Sequence, residues 1–325
     1  MPRTAAYLSA LQPKTSTLPE GVGSTQLDAS DALRVFDLYK HSIAPDTYSR
    51  YEVAWIKFLA FLQSRHCPLA KLTPGLVGVY LSQVFAAGYS GSGIAGIASA
   101  LAFFLPLVGK GSIMSDPVVK RVAAGARKAR PTVDVRAPFA RAEVYALCDA
   151  LLHLNLSQYD VVLFRGMFLL AFFGMLRVSE LVGKHALQRS AVTISRGCVK
   201  IAFSNYKHKK GHLPTVVMVQ PSGDDRYCPV KVIHDLLAFP VPLDPTRSLF
   251  CFADGKPVSP RFFSAQLKQV ISVALPGHTR VLSSHSFRIG GATDAVLRGI
   301  PVHVVQQMGR WSSSAWQSYV RPFLF

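Results

Sequence analysis

Acidic residues are scarce in this chain. Asp and Glu number 18 against 36 Lys and Arg, giving a formal charge of +18 and a pI near 10.0 over 325 residues. No catalytic carboxylate pair, HExxH segment or GxxxxGKS/T segment is found, which argues against two-metal nuclease chemistry and against nucleoside triphosphate use. A Gly-rich dinucleotide signature is missing as well. The five cysteines (Cys67, Cys148, Cys198, Cys228, Cys251) are odd in number, scattered and never in a CxxC pair. They read as reduced thiols of a cytosolic or nuclear protein and hold out no zinc site. Long apolar runs are lacking too: Met167 to Met175 and Ile94 to Val108 are interrupted by Gly or Pro, or fall short of the ~20 residues a membrane span needs. The N-terminus carries no charged start followed by an apolar core, so secretion is not expected.

What is present is positive charge on an apolar chain. Half the residues are hydrophobic, enough for a sizeable core, and the length suits two domains. A basic excess of this size favours a polyanion as partner.

Residues 1–30 are rich in Ser, Thr, Pro and Gly without periodicity and read as a flexible arm. Pro45-Asp46 then starts a helix whose stripe is Tyr48, Tyr51, Trp55, Phe58 and Leu62. Thr73-Pro74 opens a second helix, Leu76 to Ala86, and Ile94 to Leu105 and Val118 to Arg130 give two more. The last carries Lys120, Arg121, Arg127, Lys128 and Arg130, a local positive charge suited to phosphates. Residues 31–130 thus form a helical domain, 131–138 a proline-containing linker, and 139–325 a second domain.

The second domain starts with helices at Arg141 to Leu154 and Val161 to Phe173, the latter broken at Gly174. Short β-branched runs follow at 192–194, 199–203 and 215–219. Between the last two lies a basic hairpin loop, Tyr206-Lys207-His208-Lys209-Lys210. Pro229 to Leu237 and Ser264 to Val273 return to helix, with Ser264 as the expected cap. His285 opens a helix that stops at Gly299, Pro301 begins the next, Gly309 ends it, and Ser313 or Ser314 caps a last short helix carrying Tyr319. The fold class is therefore mainly α with a small antiparallel β-sheet.

His285 and Arg288 are three apart, hence on one helix face. A histidine near phenylalanine is often a core residue, and Arg177 with Glu180 three positions on is by itself an ordinary surface pair. Trp311, taken alone, is a large core aromatic. Together they suit a phosphodiester. Two guanidiniums, Arg177 and Arg288, present planar donor forks to a phosphate and keep their protons. The Trp311 indole can only donate. A tyrosine phenol, with a reference pKa near ~10, is a poor nucleophile until its anion is stabilised, which two arginines and His285 beside Tyr319 would do. The leaving alkoxide needs a proton, and Lys207 is the candidate acid, with Lys209 second and Lys210 third. Lys209 and Lys210 also suit plain phosphate contact.

Arg177 in GMLRVSEL, a lysine in a β-hairpin, His285 and Arg288 in HSFRIGGAT, and Trp311 and Tyr319 in MGRWSSSAWQSY resemble the tyrosine recombinase/integrase family, over about residues 140–321. The wording is most similar to recombinases of DIRS-type retrotransposons and Cryptons, and the layout is similar to Cre in having Trp where many integrases have a second His. The resemblance implies a SAM-like core-binding domain ahead of a catalytic domain, together clamping duplex DNA. It implies that Tyr319 forms a 3′-phosphotyrosyl link and frees a 5′-hydroxyl, without metal, ATP or any other cofactor. Arg177 and Arg288 would clamp the phosphate, His285 would serve as acid/base, Trp311 would hydrogen-bond the phosphate, and Glu180 would give support. The implied partners are double-stranded DNA and further copies of the chain, a dimer per site and a tetramer in synapsis, with neither membrane nor small-molecule substrate. The implied setting is mobile-element integration or excision, in the nucleus of a eukaryote or the nucleoid of a bacterium. The tail after Tyr319 is short, and the loop has Asn205-Tyr206-Lys207 where the family often has Ser-Lys-Thr. Two other readings are a catalytically silent DNA-binding regulator, which would need a broken site residue, and a type IB topoisomerase, which would relax DNA without site preference.

Overall fold

The computed structural model describes residues 29–204, 213–239 and 244–321 and divides the chain into two compact units at Asp134/Val135. The proposed N-terminal arm lies outside the described residues up to position 28. From Ala29 the chain is already helical: α1 (Ala29–His41), a helix that the Ser- and Thr-rich composition before it did not foreshadow.

The first unit continues with α2 (Pro45–Ser64), α3 (Pro74–Ala86), α4 (Gly91–Phe104) and α5 (Pro117–Ala129). Three of these helices, α3, α4 and α5, are capped by a side chain. The Thr73 hydroxyl accepts from Leu76 N, Ser90 from Gly93 N and Asp116 from Val118 N, satisfying backbone donors that the first turn leaves open. On α2 the apolar period buries Tyr48, Trp55, Phe58 and Leu62. Trp55 stacks on Phe104 of α4, with centroids 5.3 Å apart. Gly91–Val108 has the length and apolarity of a membrane span, yet Ile94, Leu101, Phe104 and Leu105 along it are core residues of this unit.

The second unit contains α6 (Arg141–Ala150), α7 (Gln158–Phe173), the single turn α8 (Val178–Leu181), strands β1 (Val192–Ser195), β2 (Cys198–Phe203) and β3 (Thr215–Val219), then α9 (Pro229–Ala238), α10 (Pro260–Ala274), α11 (Ser284–Leu297), α12 (Val302–Gly309) and a 3-10 helix at Ser314–Tyr319. The sheet is antiparallel in the order β1-β2-β3, with Val192 opposite Ile201 and Val199 opposite Val219. Alternation puts Val199, Ile201, Phe203, Val217 and Val219 into the core. The cap of α10 is Ser259, not Ser264: Ser259 Oγ accepts from Phe262 N and Pro260 takes the first turn, so the helix starts one turn earlier than its apolar period alone indicated. The break after α7 also shifts by one position. Gly174 stays right-handed, and Met175 takes φ +48°.

The middle of this unit is α11. Phe287 is fully buried, stacked on Phe168 at 5.3 Å and against Phe139 at 4.7 Å. Burial of such a ring contributes roughly 1.5–3 kcal/mol. Gly290 and Gly291 permit the close approach: a Cβ on the first would run into the Phe139 carbonyl oxygen, and on the second into that of Phe172. The helix is thereby fixed in depth and rotation, and these contacts aim Arg288, one turn from His285, at Met175 and Trp311.

Candidate phosphate-binding and nucleophile site

Ser283 caps α11. Its hydroxyl accepts from His285 N at 3.3 Å, and its amide donates to Ser286 Oγ at 3.0 Å. The helix therefore opens at Ser284, one residue before the expected start at His285. This places His285 in the first turn and Arg288 one turn on, with Phe287 anchored in the core between them.

Arg288 is completely buried. Its Nη1 donates to the Met175 carbonyl and its Nη2 to the Gly309 carbonyl at 2.6 Å. Trp311 covers one side, with the guanidinium carbon 4.3 Å from the ring centroid, and the Tyr319 ring lies 5.1 Å away. Burial first, and then the cations of Arg177 and Arg310, push this guanidinium down to about 9. It remains a cation at neutral pH, but one held where a negative charge would be welcome. Among the described residues no acceptor reaches its Nε.

A second layer of charge sits behind it. Arg177 precedes α8, and the Glu180 carboxylate folds back to accept from Arg177 N at 2.7 Å and from Arg177 Nη1 at 3.1 Å. Glu180 is 5 % exposed. Its Oε2 also accepts from Arg310 Nη2 at 2.7 Å. Arg310 is itself buried, holds the left-handed backbone that ends α12 (φ 56°), and lays its guanidinium 4.1 Å from the Phe203 ring centroid on β2. Two guanidiniums, of Arg177 and Arg310, thus share one carboxylate, and with the Arg288 guanidinium they make a net positive cluster suited to an anion. Arg310 is the residue that sequence reasoning passed over. It stood beside Trp311 in the motif, and the one available signal was its place directly after a helix-ending glycine. The glycine itself is required: Trp311 packs where a Cβ on Gly309 would stand.

Tyr319 closes the cluster. Its ring centroid is 4.9 Å from Trp311 and 5.2 Å from His285. Ser313 caps the 3-10 helix that carries it. Met175, Ala292, Ala295 and Val305 form the small apolar core beneath, with Trp311 and Tyr319 against it. Arg177, Glu180, His285, Arg288, Trp311 and Tyr319 are thus gathered in one place. Lys207, Lys209 and Lys210 lie outside the described residues. In the first unit, Lys120, Arg121, Arg127, Lys128 and Arg130 are all exposed. Arg130 is turned back on its own unit, donating to the Phe85 carbonyl at 2.5 Å and the Tyr89 carbonyl at 3.3 Å. Among the described residues no three His, Cys, Asp or Glu side chains converge as metal ligands.

Residues 142–322 match the model of the phage integrase family. No curated protein gives a significant match. Among solved structures, the chain is similar to XerH site-specific recombinase bound to a palindromic difH substrate in a post-cleavage complex (TM-score 0.63, 16 % identity, covering 89 % of this chain and 80 % of that one). It is similar to a lambda integrase tetramer bound to a Holliday junction (TM-score 0.59, 16 % identity, 89 % and 77 % covered). It is similar also to the Tn1549 transposon integrase in complex with circular intermediate DNA (TM-score 0.58, 13 % identity, 89 % and 94 % covered). At these identities the three structures establish the fold.

Proposed function

The chain belongs to the phage integrase family, a family of tyrosine site-specific recombinases, and on that footing we propose that it is an active member that cuts and rejoins duplex DNA through Tyr319. The observation that carries this reading is the contact of the Tyr319 ring with Trp311 and His285 above the buried Arg288 cation. A scissile phosphate would enter at the edge of the Arg288 guanidinium, where its Nε has no acceptor among the described residues, while Arg177 donates from the Glu180 side. Preorganised donors of this kind stabilise charge that builds on the phosphate oxygens in the transition state.

In the reaction, the Tyr319 phenol oxygen forms a bond to phosphorus, and the bond from phosphorus to the 5′-oxygen breaks. The phenol proton passes to His285, and the leaving 5′-oxygen takes a proton from the loop lysine, Lys207 by sequence. One phosphoester replaces another, so the energy of the broken bond is kept in the phosphotyrosyl link. A 5′-hydroxyl from a second strand reverses the step. DNA as substrate, assembly as a dimer per site and a tetramer in synapsis, and service to a mobile element follow the DNA-bound relatives and belong to this proposal. The exposed cations of α5 would contact backbone phosphates in it. All the described candidates keep the residue types the chemistry needs, so nothing favours the silent regulator.

The test starts from a randomised pool of nicked duplexes, enriched for binding and incubated with the protein in EDTA without nucleotide. A covalent protein–DNA species that rejoins an added 5′-hydroxyl strand is expected. Tight binding with no covalent species on any enriched sequence would remove the proposal in favour of the regulator. Relaxation of plasmids without site preference would favour the topoisomerase.

A further inference from the structure

We propose that Thr293 is a positioning residue that grips the nucleophile segment, so that Tyr319 is delivered to the phosphate held by its own chain. The inference rests on the recombinase reading above. Thr293 lies on α11, in the last two turns, and is fully buried. Its Oγ1 is 2.8 Å from the Ile289 carbonyl, 3.1 Å from the Tyr319 carbonyl and 3.0 Å from the Arg321 amide. A hydroxyl has one proton and two lone pairs. It donates to the two carbonyls in a shared bond and accepts from the Arg321 N–H. One side chain thus holds the backbone on both sides of Val320.

The placement has a consequence for geometry. α11 carries His285 and Arg288 near its start and Thr293 in its second half, so a single rigid helix fixes the phosphate-binding cation and the segment that bears the nucleophile. The Arg321 guanidinium adds to the hold by donating to the carbonyls of Ser318 and Arg136. His285 and Arg288 of the same helix meet only the Tyr319 ring in the contacts above, whereas the Thr293 hydroxyl bonds the backbone of the segment. Without it, the Tyr319 carbonyl and the Arg321 amide would lose a buried partner, and the segment could leave the site.

Two variants and one mixture test this. Thr293→Val keeps the shape and removes the hydroxyl, and Thr293→Ser keeps the hydroxyl. At saturating nicked duplex, the rate of covalent species formation is expected to fall about tenfold in Thr293→Val, which loses two part-buried hydrogen bonds to the segment. DNA affinity stays unchanged, and Thr293→Ser recovers to within about twofold of the unmodified chain. Faster hydrogen exchange is expected in the peptide holding the Arg321 amide of Thr293→Val. For delivery within one chain, Tyr319→Phe is mixed with Arg288→Ala on one DNA site: no covalent species above background is expected. Thr293→Val at the unmodified rate, or a mixture that recovers the covalent species, overturns the inference. Should Thr293→Val not fold, the mixture and Thr293→Ser still decide it. If the unmodified chain forms no covalent species while its Arg321 amide is protected through Thr293, the recombinase reading fails and the grip stands as structure alone.

Discussion

Arg288→Ala is expected to lower the rate of covalent protein–DNA formation by at least about a thousandfold, within the range seen when a cation that clamps a reacting phosphoryl group is removed. DNA affinity should fall much less, because the rest of the +18 charge remains. The size of the effect follows from where the guanidinium sits. It is wholly buried, bonded to the Met175 and Gly309 carbonyls and faced by Trp311 and Tyr319. Burial and two neighbouring cations already push it down to about 9. An arriving phosphate gives this cation the counter-charge it lacks, and the gain is greatest when the phosphate carries most charge, in the transition state. Arg288→Lys keeps a charge but has no planar fork, so it recovers only part of the rate. A single-turnover time course on nicked duplex, with binding measured separately, checks both. A rate for Arg288→Ala within tenfold of the unmodified chain would exclude Arg288 from the phosphate site.

The second large effect concerns Glu180. Glu180→Leu leaves Arg177 and Arg310 without the carboxylate that both engage at 2.7–3.1 Å. Breaking a buried pair on one side costs about 3–5 kcal/mol. For a unit of this size that corresponds to a drop in Tm of roughly 10 °C. Arg310→Met alone should be destabilising to a smaller degree, since the carboxylate loses one cation but keeps Arg177. The double variant Glu180→Leu, Arg310→Met should regain most of the stability, because neither charge is then left buried alone. It should not regain cleavage, since Arg177 loses the group that orients it. Thermal unfolding of the four proteins forms a double-mutant cycle, and additive losses would show that the two groups do not act on each other.

The parts of this architecture that sequence made legible are those with a local cause. Prolines and capping residues marked the starts of α2, α3, α9, α12 and the 3-10 helix that carries Tyr319. The stripe Tyr48, Trp55, Phe58, Leu62 gave the buried face of α2, and the β-branched runs gave the three strands, because a period of two or of 3.6 is written along the chain itself. The three-residue step from His285 to Arg288 placed both on one side of a helix for the same reason. Most of what escaped was set by distant packing, though one helix start had a local cue of its own. Ser259 rather than Ser264 caps α10 because Pro260 fixes the first turn, a local cue outweighed by the apolar run that follows. Nothing near Met175 announces a positive φ; its carbonyl is held there by Arg288 and Arg310, from 113 and 135 residues away. The role of Arg310 depends on Glu180, 130 positions earlier, a pairing no spacing rule reaches. Thr293 is similar: only the folded chain brings the backbone of Tyr319 and Arg321 to its hydroxyl.

The central claim is that one phenol oxygen, that of Tyr319, makes the bond to DNA. Its most direct test is to trap the covalent species on a nicked duplex, digest the DNA and the protein, and locate the residual nucleotide by tandem mass spectrometry. The prediction is a nucleotide mass on the tyrosine of the sequence Ser314-Ala315-Trp316-Gln317-Ser318-Tyr319, with the phosphate attached through its 3′ side. A nucleotide on any other residue, or an adduct that persists in Tyr319→Phe, would contradict the account.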